Sequence, residues 1–246
     1  MVAMMRLNAK EVLDRHDKAL TKKEDFRSLY DEAYEFALPQ RNLYDGYYDG
    51  GVQGQKKMNR VFDSTAIAST QRFANRMQSG IFPPQRKWCR LEPGSDIPED
   101  RKAEAQAALD LYNEKLFDTL KQSNFDVAIG EFLLDLSVGT AVMMIQPGDD
   151  INPINFIPVP QFLVSFDEGA HGQVDNVYRR MKLKVESLQR QWPDAKLSAE
   201  IKTLIQQKPT EEIELIEATV FDQKRGDYCY HVIEKKSKTE LVYRRM

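Results

Sequence analysis

A change in hydrophobic period at Gly139 constrains the fold more than any other feature of this sequence. Before this glycine, apolar residues recur three and four positions apart, which is the spacing of amphipathic helices. After it, they form short runs and alternations separated by turn residues, which is typical of strands. We therefore predict an α+β fold, with N-terminal helices packed on a mainly antiparallel β-sheet. The expected division is a mainly helical part at 1–139 and a mainly β part at 140–246, within a single compact unit.

Helical spacing predicts four stretches of helix before Gly139, at residues 10–38, 63–79, 97–122 and 124–138. The first has a break where Thr21 and Glu24 have the spacing of a capping box, and it ends before Pro39 because the residue preceding a proline avoids helical angles. The third has its apolar face at Leu109, Tyr112, Leu116 and Leu120. The fourth leads into residues 140–145, an uncharged strand that we place in the middle of the core.

Residues 62–93 carry the densest local signals. Asp63 can accept hydrogen bonds from the first free amides of the helix that follows, which predicts an N-cap. Phe62 and Ile67 have the spacing of a hydrophobic staple, which fixes the angle at which the chain enters the helix. The stripe that we expect to face the core consists of Ala66, Thr70, Phe73 and Met77, with Ile67 and Ala74 beside it.

The end of this helix is predicted at Gly80, because glycine suits the left-handed position just beyond a helix terminus. Pro83 and Pro84 then prevent the helix from continuing. The apolar run after the prolines predicts a strand-like segment that contains Trp88, Cys89 and Leu91.

The second part of the chain predicts strands joined by turns, with two short helices between them. We expect the strands at residues 154–159, 162–166, 174–183, 212–221, 227–234 and 240–245. We expect the helices at residues 184–191 and 198–207. Short polar connections join the last three strands, which indicates an antiparallel meander.

Composition argues against several classes of protein. The contents of apolar residues, 41%, and of charged residues, 30%, are ordinary for a soluble protein. The formal net charge of −3 lacks the basic footprint of non-specific nucleic-acid binding. No apolar run reaches the length that spans a bilayer, and no secretory signal is present, so we expect folding in a cytoplasm. Cys89 and Cys229 lie in apolar contexts and are expected to be reduced core residues.

Motifs for catalysis or cofactor binding are missing from the sequence. The nearest approach to a phosphate loop, residues 50–57, lacks a Ser or Thr after its lysines and a strand before it. His231 lies in a predicted strand, where a core or edge histidine is the ordinary case. Glu131 and Asp135, with Asp126 on the same helix, favour a solvated or salt-bridged face over a cation site. We therefore expect no catalytic, cofactor-binding or metal-binding residues.

Residues 42–57 predict the least ordered segment, because they combine four glycines with no periodic apolar face. A surface loop is the expected structure. The alternative is that the tyrosines of this segment become ordered against a neighbouring subunit; they are Tyr44, Tyr47 and Tyr48.

Four groups of residues occur in a characteristic order along the chain. They are YEFALPQR at 34–41, the stretch from Asp63 to Leu91, the helix that opens at Ser123-Asn124-Phe125 and closes at Gly139-Thr140-Ala141, and the strand, turn and return strand at 157–180. In this order they resemble the head-to-tail connecting (portal) proteins of short-tailed, T7-like bacteriophages. The resemblance covers residues 25–246.

This resemblance implies a structural role without catalysis. It implies a homo-oligomeric ring, a dodecamer, at one capsid vertex of the virion, assembled in the cytoplasm of the host bacterium. The implied partners are the major capsid protein and scaffold, the terminase, a tail adaptor protein and double-stranded DNA in the channel, with no membrane. Family members are longer, so we expect this chain to be the outer, wing-like portion, with the stem and clip beyond Met246.

Two other functions remain open from the sequence. One is a stand-alone α+β adaptor that binds a protein partner. The other is a nucleotide-binding enzyme that uses the glycine-rich residues 50–57. The oligomeric state would separate a ring from both, and nucleotide binding would identify the enzyme.

Overall fold

The computed structural model of the chain describes residues 6–41, 61–169, 172–223 and 225–246. Within these ranges the secondary structure includes both α-helices and β-strands, and every pair of strands is antiparallel. The predicted α+β class is therefore confirmed. The predicted loop at 42–57, with its tyrosines and its glycine-rich residues 50–57, lies outside the described residues.

The described residues form seven α-helices and seven strands. The helices are α1 (Ala9–Glu24), α2 (Arg27–Ala37), α3 (Thr65–Ile81), α4 (Glu99–Gln122), α5 (Phe125–Val138), α6 (Leu188–Gln191) and α7 (Ala199–Gln207). The strands are β1 (Val142–Pro147), β2 (Ile154–Val159), β3 (Val164–Glu168), β4 (Val174–Lys184), β5 (Glu212–Asp222), β6 (Asp227–Glu234) and β7 (Thr239–Arg245). Short 3-10 helices lie at Pro39–Arg41, Gln161–Leu163 and Val185–Ser187.

The chain divides into two compact units. We call Met1–Ser28 with Phe162–Met246 the sheet unit, and Leu29–Gln161 the helical unit. The predicted change from helices to strands occurs at Gly139, since five α-helices end before it and all seven described strands follow it. As a division into domains, the boundary at Gly139 stays a prediction.

The sheet unit is built on a five-stranded antiparallel sheet with the order β3-β4-β5-β6-β7. The predicted meander is therefore confirmed. Helix α1 packs on one face, where Val12 and Leu13 join a buried cluster with Ile216 of β5 and Ile233 of β6. The other face packs against the region of α6 and α7 through a second cluster, which contains Leu188, Trp192, Ile201, Ile213, Leu215, Val232, Leu241 and Val242. Alternation along β5 thus supplies both layers of the core.

The first helix begins and ends differently from the sequence prediction. Asn8 caps α1 and forms a reciprocal capping box with Glu11, which extends the helix N-terminally. The predicted break is present, but it lies after Glu24, between α1 and α2. The capping box predicted at the break is absent, because Thr21 lies inside α1 and donates its hydroxyl to the carbonyl of Asp17 at 2.9 Å.

The helical unit is centred on α5. Ala74 of α3 packs with Ile129 and Leu133 of α5, and these residues are 2–6% exposed. Strands β1 and β2 form a two-stranded sheet beside this helix. The expectation that β1 lies in the middle of the core is wrong: within the described residues it pairs only with β2, and Ile145 is 65% exposed.

Two asparagines hold extended segments of the helical unit in place. Asn113 of α4 accepts from the Leu91 amide at 2.8 Å and donates to the Leu91 carbonyl at 3.3 Å. Asn124 makes the same pair of bonds to Phe156 of β2, at 2.9 Å and 2.7 Å. Each side-chain amide therefore replaces the backbone partner that a neighbouring strand would supply.

The segment after α3 is extended but belongs to no sheet. Its Trp88 packs among aromatic rings, with centroids 5.0 Å from Phe82, 5.5 Å from Phe117 and 5.9 Å from Phe125. The predicted strand is therefore an extended segment fixed by side-chain contacts. Cys89 in this segment is exposed, so the prediction of a core cysteine is wrong there, whereas Cys229 is buried as predicted.

The predicted ends of α3 are partly wrong. Asp63 does accept from the amide of Thr65 at 2.8 Å, but Ser64 is the N-cap position. Phe62 is 95% exposed, so no hydrophobic staple forms. Gly80 lies inside the helix, which continues to Ile81, and therefore has no left-handed capping role.

The predicted apolar faces of α3 and α4 are rotated from those in the structure. Thr70 and Ala74 are buried in α3, whereas Phe73 is 39% exposed and Ala66 is also exposed. In α4 the buried residues are Asn113 and Phe117, and the predicted core residue Tyr112 is 60% exposed. Both helices therefore present apolar side chains to the outside.

Candidate functional site

Two of the α5 carboxylates considered in the sequence, Glu131 and Asp135, form ion pairs with Arg41. Arg41 donates from Nη2 to Asp135 at 2.7 Å and from Nε to the same carboxylate at 3.0 Å. Its Nη1 donates to Glu131 at 2.9 Å. Among the described residues, Asp126 forms no ion pair with Arg41. Its backbone carbonyl accepts a hydrogen bond from Nε2 of Gln78 at 2.9 Å. The predicted salt-bridged face is therefore confirmed for Glu131 and Asp135.

Burial decides what this cluster can do. Asp135 is 1% exposed, and the Tyr34 hydroxyl also donates to it at 3.3 Å. Burial by itself would lower the pKa of Arg41, but the two carboxylates outweigh it and raise that pKa above its ordinary value. The arginine thus pairs with both acids, and the cluster joins the Pro39–Arg41 turn to α5. Its role is structural.

Two histidines of the sheet unit, His16 and His231, lie in its core. His231 of β6 is fully buried, as predicted, and its Nδ1 lies 2.9 Å from the Glu240 carboxylate. His16 of α1 is equally buried and makes an edge-on contact with Tyr178 at 5.8 Å between ring centroids. No set of three or more His, Cys, Asp or Glu in the described ranges could hold a metal ion.

The exposed Cys89 lies in a shallow groove between its own segment and α4. Lys87, Trp88, Arg90, Asp110, Asn113 and Glu114 line the groove with it. Its charges occur in opposite pairs: Arg90 contacts Asp110 at 2.9 Å, and Lys87 contacts Glu114. A thiol surrounded by paired ions has neither the base nor the unpaired cation that would activate it.

The remaining features of the helical unit are two exposed helix faces. On α3 the face consists of Ser69, Arg72, Phe73 and Arg76, which line a shallow groove together with the half-buried Met77. On α4 it consists of Asp100, Glu104, Ala107, Ala108, Leu111, Lys115 and Asp118. Exposed aromatic and aliphatic side chains among charges are typical of protein contact surfaces.

Apolar spacing misses these faces. It places Phe73 in the core, and it gives α4 an apolar face at Leu109, Tyr112, Leu116 and Leu120, which does not include Leu111. Apolar periodicity identifies a stripe but not what covers it. A usable signal was present in the charges: α3 carries two arginines and no acid, whereas α4 carries six acids and four basic residues. In the described part of the chain, no helix is both long and apolar enough to cross a membrane.

Comparison with known proteins decides the family. Residues 9–245 match the family described as bacteriophage head to tail connecting protein. The chain belongs to this family. The resemblance seen in the sequence is therefore confirmed over nearly the whole chain.

A curated relative agrees with the family assignment. The probable portal protein of Bordetella phage BPP-1 is 24% identical over 198 residues, which cover 79% of this chain and 35% of the relative. This head-to-tail connecting protein sequence thus spans about a third of the length of that relative. By its description, the family is one of structural connecting proteins of the phage particle.

Proposed function

We propose that this chain is the wing-like portion of a phage portal protein, which forms a ring at one vertex of the capsid. The observation that carries the proposal is the family match over residues 9–245. DNA passes through the ring during packaging and ejection. The protein is a virion component that is assembled in the cytoplasm of the host bacterium.

The proposed partners follow from this position in the particle. The ring is a dodecamer of identical subunits that contacts the major capsid protein and scaffold on the head side. It also binds the terminase during packaging and a tail adaptor protein afterwards. The terminase carries out ATP hydrolysis, so the portal itself needs no cofactor and no catalytic residues.

A closed ring places a physical demand on the subunit. Every copy must offer two different faces that fit each other, because head-to-tail contacts either close into a ring or grow without limit. The exposed faces of α3 and α4 support this requirement, since they differ in sign of charge. The net charge of −3 also fits a ring through which a duplex must slide, because a basic ring would retain the phosphates; the channel lining itself belongs to the proposed stem and not to this portion.

The proposal is tested by expressing the complete natural gene and measuring the molar mass of the particle that its product, the encoded polypeptide, forms. We expect a single large species by multi-angle light scattering and a ring in negative-stain images, at micromolar concentration and without nucleotide. An adaptor would give a monomer or a small complex. A monomeric polypeptide that binds nucleotide would identify the enzyme alternative and would overturn the proposal.

A further inference from the structure

The outer face of α3 is basic and partly aromatic. Arg72 and Arg76 lie one helical turn apart and are exposed. Neither has an ion-pair partner among the described residues. Phe73 lies between them in sequence and is 39% exposed, although it is one of the largest apolar side chains of the helix. Two arginines beside an aromatic ring form a surface that suits an acidic and apolar partner.

The outer face of α4 has the opposite character. Asp100 and Glu104 lie one turn apart, with the same spacing as the two arginines of α3. Neither acid has an ion-pair partner in the ranges that the structure describes. The next turn presents the small side chains of Ala107 and Ala108, followed by Leu111, which is 58% exposed. The face thus joins two free carboxylates to an apolar patch of Ala107, Ala108 and Leu111.

We propose that α3 of one copy packs against α4 of the next copy. The two helices run antiparallel, with Phe73 over Ala107 and Ala108 and with Arg76 beside Glu104. Phe73 and Arg76 are three residues apart, as are Glu104 and Ala107, so the equal rise of about 4.5 Å lets the apolar contact and the ion pair form at once. Both complementary faces occur in every copy and stay exposed within it, which favours a second copy of this chain as the occupant.

Other charges on α4 set the limits of this contact. Lys115 and Asp118 lie further along the same face, and Arg101 lies beside Asp100. The attraction is therefore centred on Glu104 and the apolar patch, not on the whole helix. A contact over about three helical turns is smaller than the roughly 800 Å² per partner of a typical stable interface. It should therefore associate weakly and cooperate with other contacts in a ring.

This inference rests on the proposed ring for the occupant, and cross-linking tests it directly. Phe73→Cys and Ala108→Cys are introduced together into the 246-residue chain carrying Cys89→Ser, because Cys89 is exposed and Cys229 is buried. Mild oxidation should give a ladder of linked oligomers from the double variant. Mixing the two single variants should give a linked dimer, whereas each single variant alone should stay unlinked.

The matched control places the cysteine elsewhere on the same helix. Asn75 is exposed on α3, but it points about 200° away from Phe73 around the helix axis. Asn75→Cys with Ala108→Cys should therefore not cross-link. Equal cross-linking of this control, or linking of Phe73→Cys to itself, would overturn the proposed pairing of α3 with α4.

Charge reversal supplies a second, independent test. Arg76→Glu or Glu104→Arg should weaken self-association of the 246-residue chain about fivefold to tenfold in sedimentation equilibrium. The double reversal Arg76→Glu/Glu104→Arg should restore association, because every contact then contains one charge of each sign. Arg86→Glu is the control, since Arg86 is exposed in the turn after α3 and outside the proposed contact.

The outcomes separate this inference from the proposed function. If the encoded polypeptide still forms rings but Phe73→Cys/Ala108→Cys gives no ladder and Arg76→Glu has no effect, the α3–α4 contact is wrong and the ring stands. If the encoded polypeptide is monomeric, the ring itself is wrong. Recovery of association in the double reversal, together with the ladder, would support both.

Discussion

Arg41 and Asp135 form a bidentate ion pair, with distances of 2.7 Å between Nη2 and Oδ2 and 3.0 Å between Nε and Oδ1. The pair joins the turn that follows α2 to the last turns of α5, which are 94 positions apart in sequence. The carboxylate is almost completely buried and the arginine side chain is 17% exposed. Fixed charges in this geometry hold the two elements at one distance and orientation.

Removal of the buried carboxylate should destabilise the chain strongly. Asp135→Ala leaves the Arg41 guanidinium without its principal partner, and we expect a loss of about 3 kcal/mol in the free energy of unfolding. Glu131→Gln is the matched control, because Glu131 also binds Arg41 but its side chain is 45% exposed; it should cost less than about 1 kcal/mol. Urea denaturation measures both, and equal losses would contradict the structural role of Asp135.

Gly139 should be intolerant of a larger residue, and the reason is a neighbouring aromatic ring, not backbone strain. Its φ of −176° is extended backbone that any residue can adopt. A Cβ atom there would lie 2.9 Å from Cε1 of Tyr30. Gly139→Val should therefore cost on the order of 1 kcal/mol or more.

The clash predicts a coupling between these two positions. In a Tyr30→Ala background the cost of Gly139→Val should fall by about 1 kcal/mol, because the ring is no longer present. A double-mutant cycle from thermal or chemical unfolding measures this difference. If Gly139→Val lowers the free energy of unfolding equally with Tyr30 and with Ala at position 30, the ring of Tyr30 is not the cause of the destabilisation.

Asn113 should contribute more than its polar character suggests. It is 4% exposed and makes both side-chain bonds to the backbone of Leu91. Asn113→Ala should cost about 1–3 kcal/mol, because the backbone groups lose their partner. Gln106→Ala serves as the control: within the described residues Gln106 donates only to Asp110, one turn away, and the loss should stay below about 0.5 kcal/mol. Similar melting temperatures for the two variants would contradict the bracing role of Asn113.

The stability of the sheet unit should fall in mild acid because of His16. Burial lowers the pKa of His16 below its ordinary value of 6.5, and the hydrogen bond with Asp17 offsets this only in part. The unfolded chain therefore binds the proton first as the pH falls, and stability is lost from pH 6.5 toward the lower pKa of the folded state.

His16→Phe should remove this part of the pH dependence, since phenylalanine can keep the edge-on contact with Tyr178 and does not titrate. Comparing the unfolding free energies of the two proteins between pH 7 and pH 5 isolates the effect, because carboxylates contribute equally to both. A parallel pH dependence in the variant would mean that His16 is already solvated in the folded protein.

The sequence was sufficient for most elements of the sheet unit. Strand β6 was predicted at its observed limits, and β4, β5 and β7 within one residue, because alternation and turn residues mark both ends of each strand. Strand β3 was less well placed, since residues 161–163 form a 3-10 turn instead of its start. Local patterns thus determine this unit well.

The helical unit was harder to predict, because its side chains depend on distant partners. Asn113 is buried to bind Leu91, which no hydrophobicity pattern indicates. The spacing of Glu131 and Asp135 pointed to a charged face, but their partner Arg41 is remote in sequence. Phe73 and Tyr112 were predicted to be core residues because they are apolar, yet both are exposed in the isolated subunit. A second protein surface could cover such side chains, but the sequence of one chain does not show where that surface binds.

The oligomeric state of the product of the complete gene is the sharpest test of the proposed ring. Light scattering at micromolar concentration compares it with the 246-residue chain. Because we propose that this chain is only the wing-like portion, we expect one large closed species for the complete product and a monomer or weak, concentration-dependent oligomer for the 246-residue chain. A complete product that remains monomeric under these conditions would contradict the proposed ring.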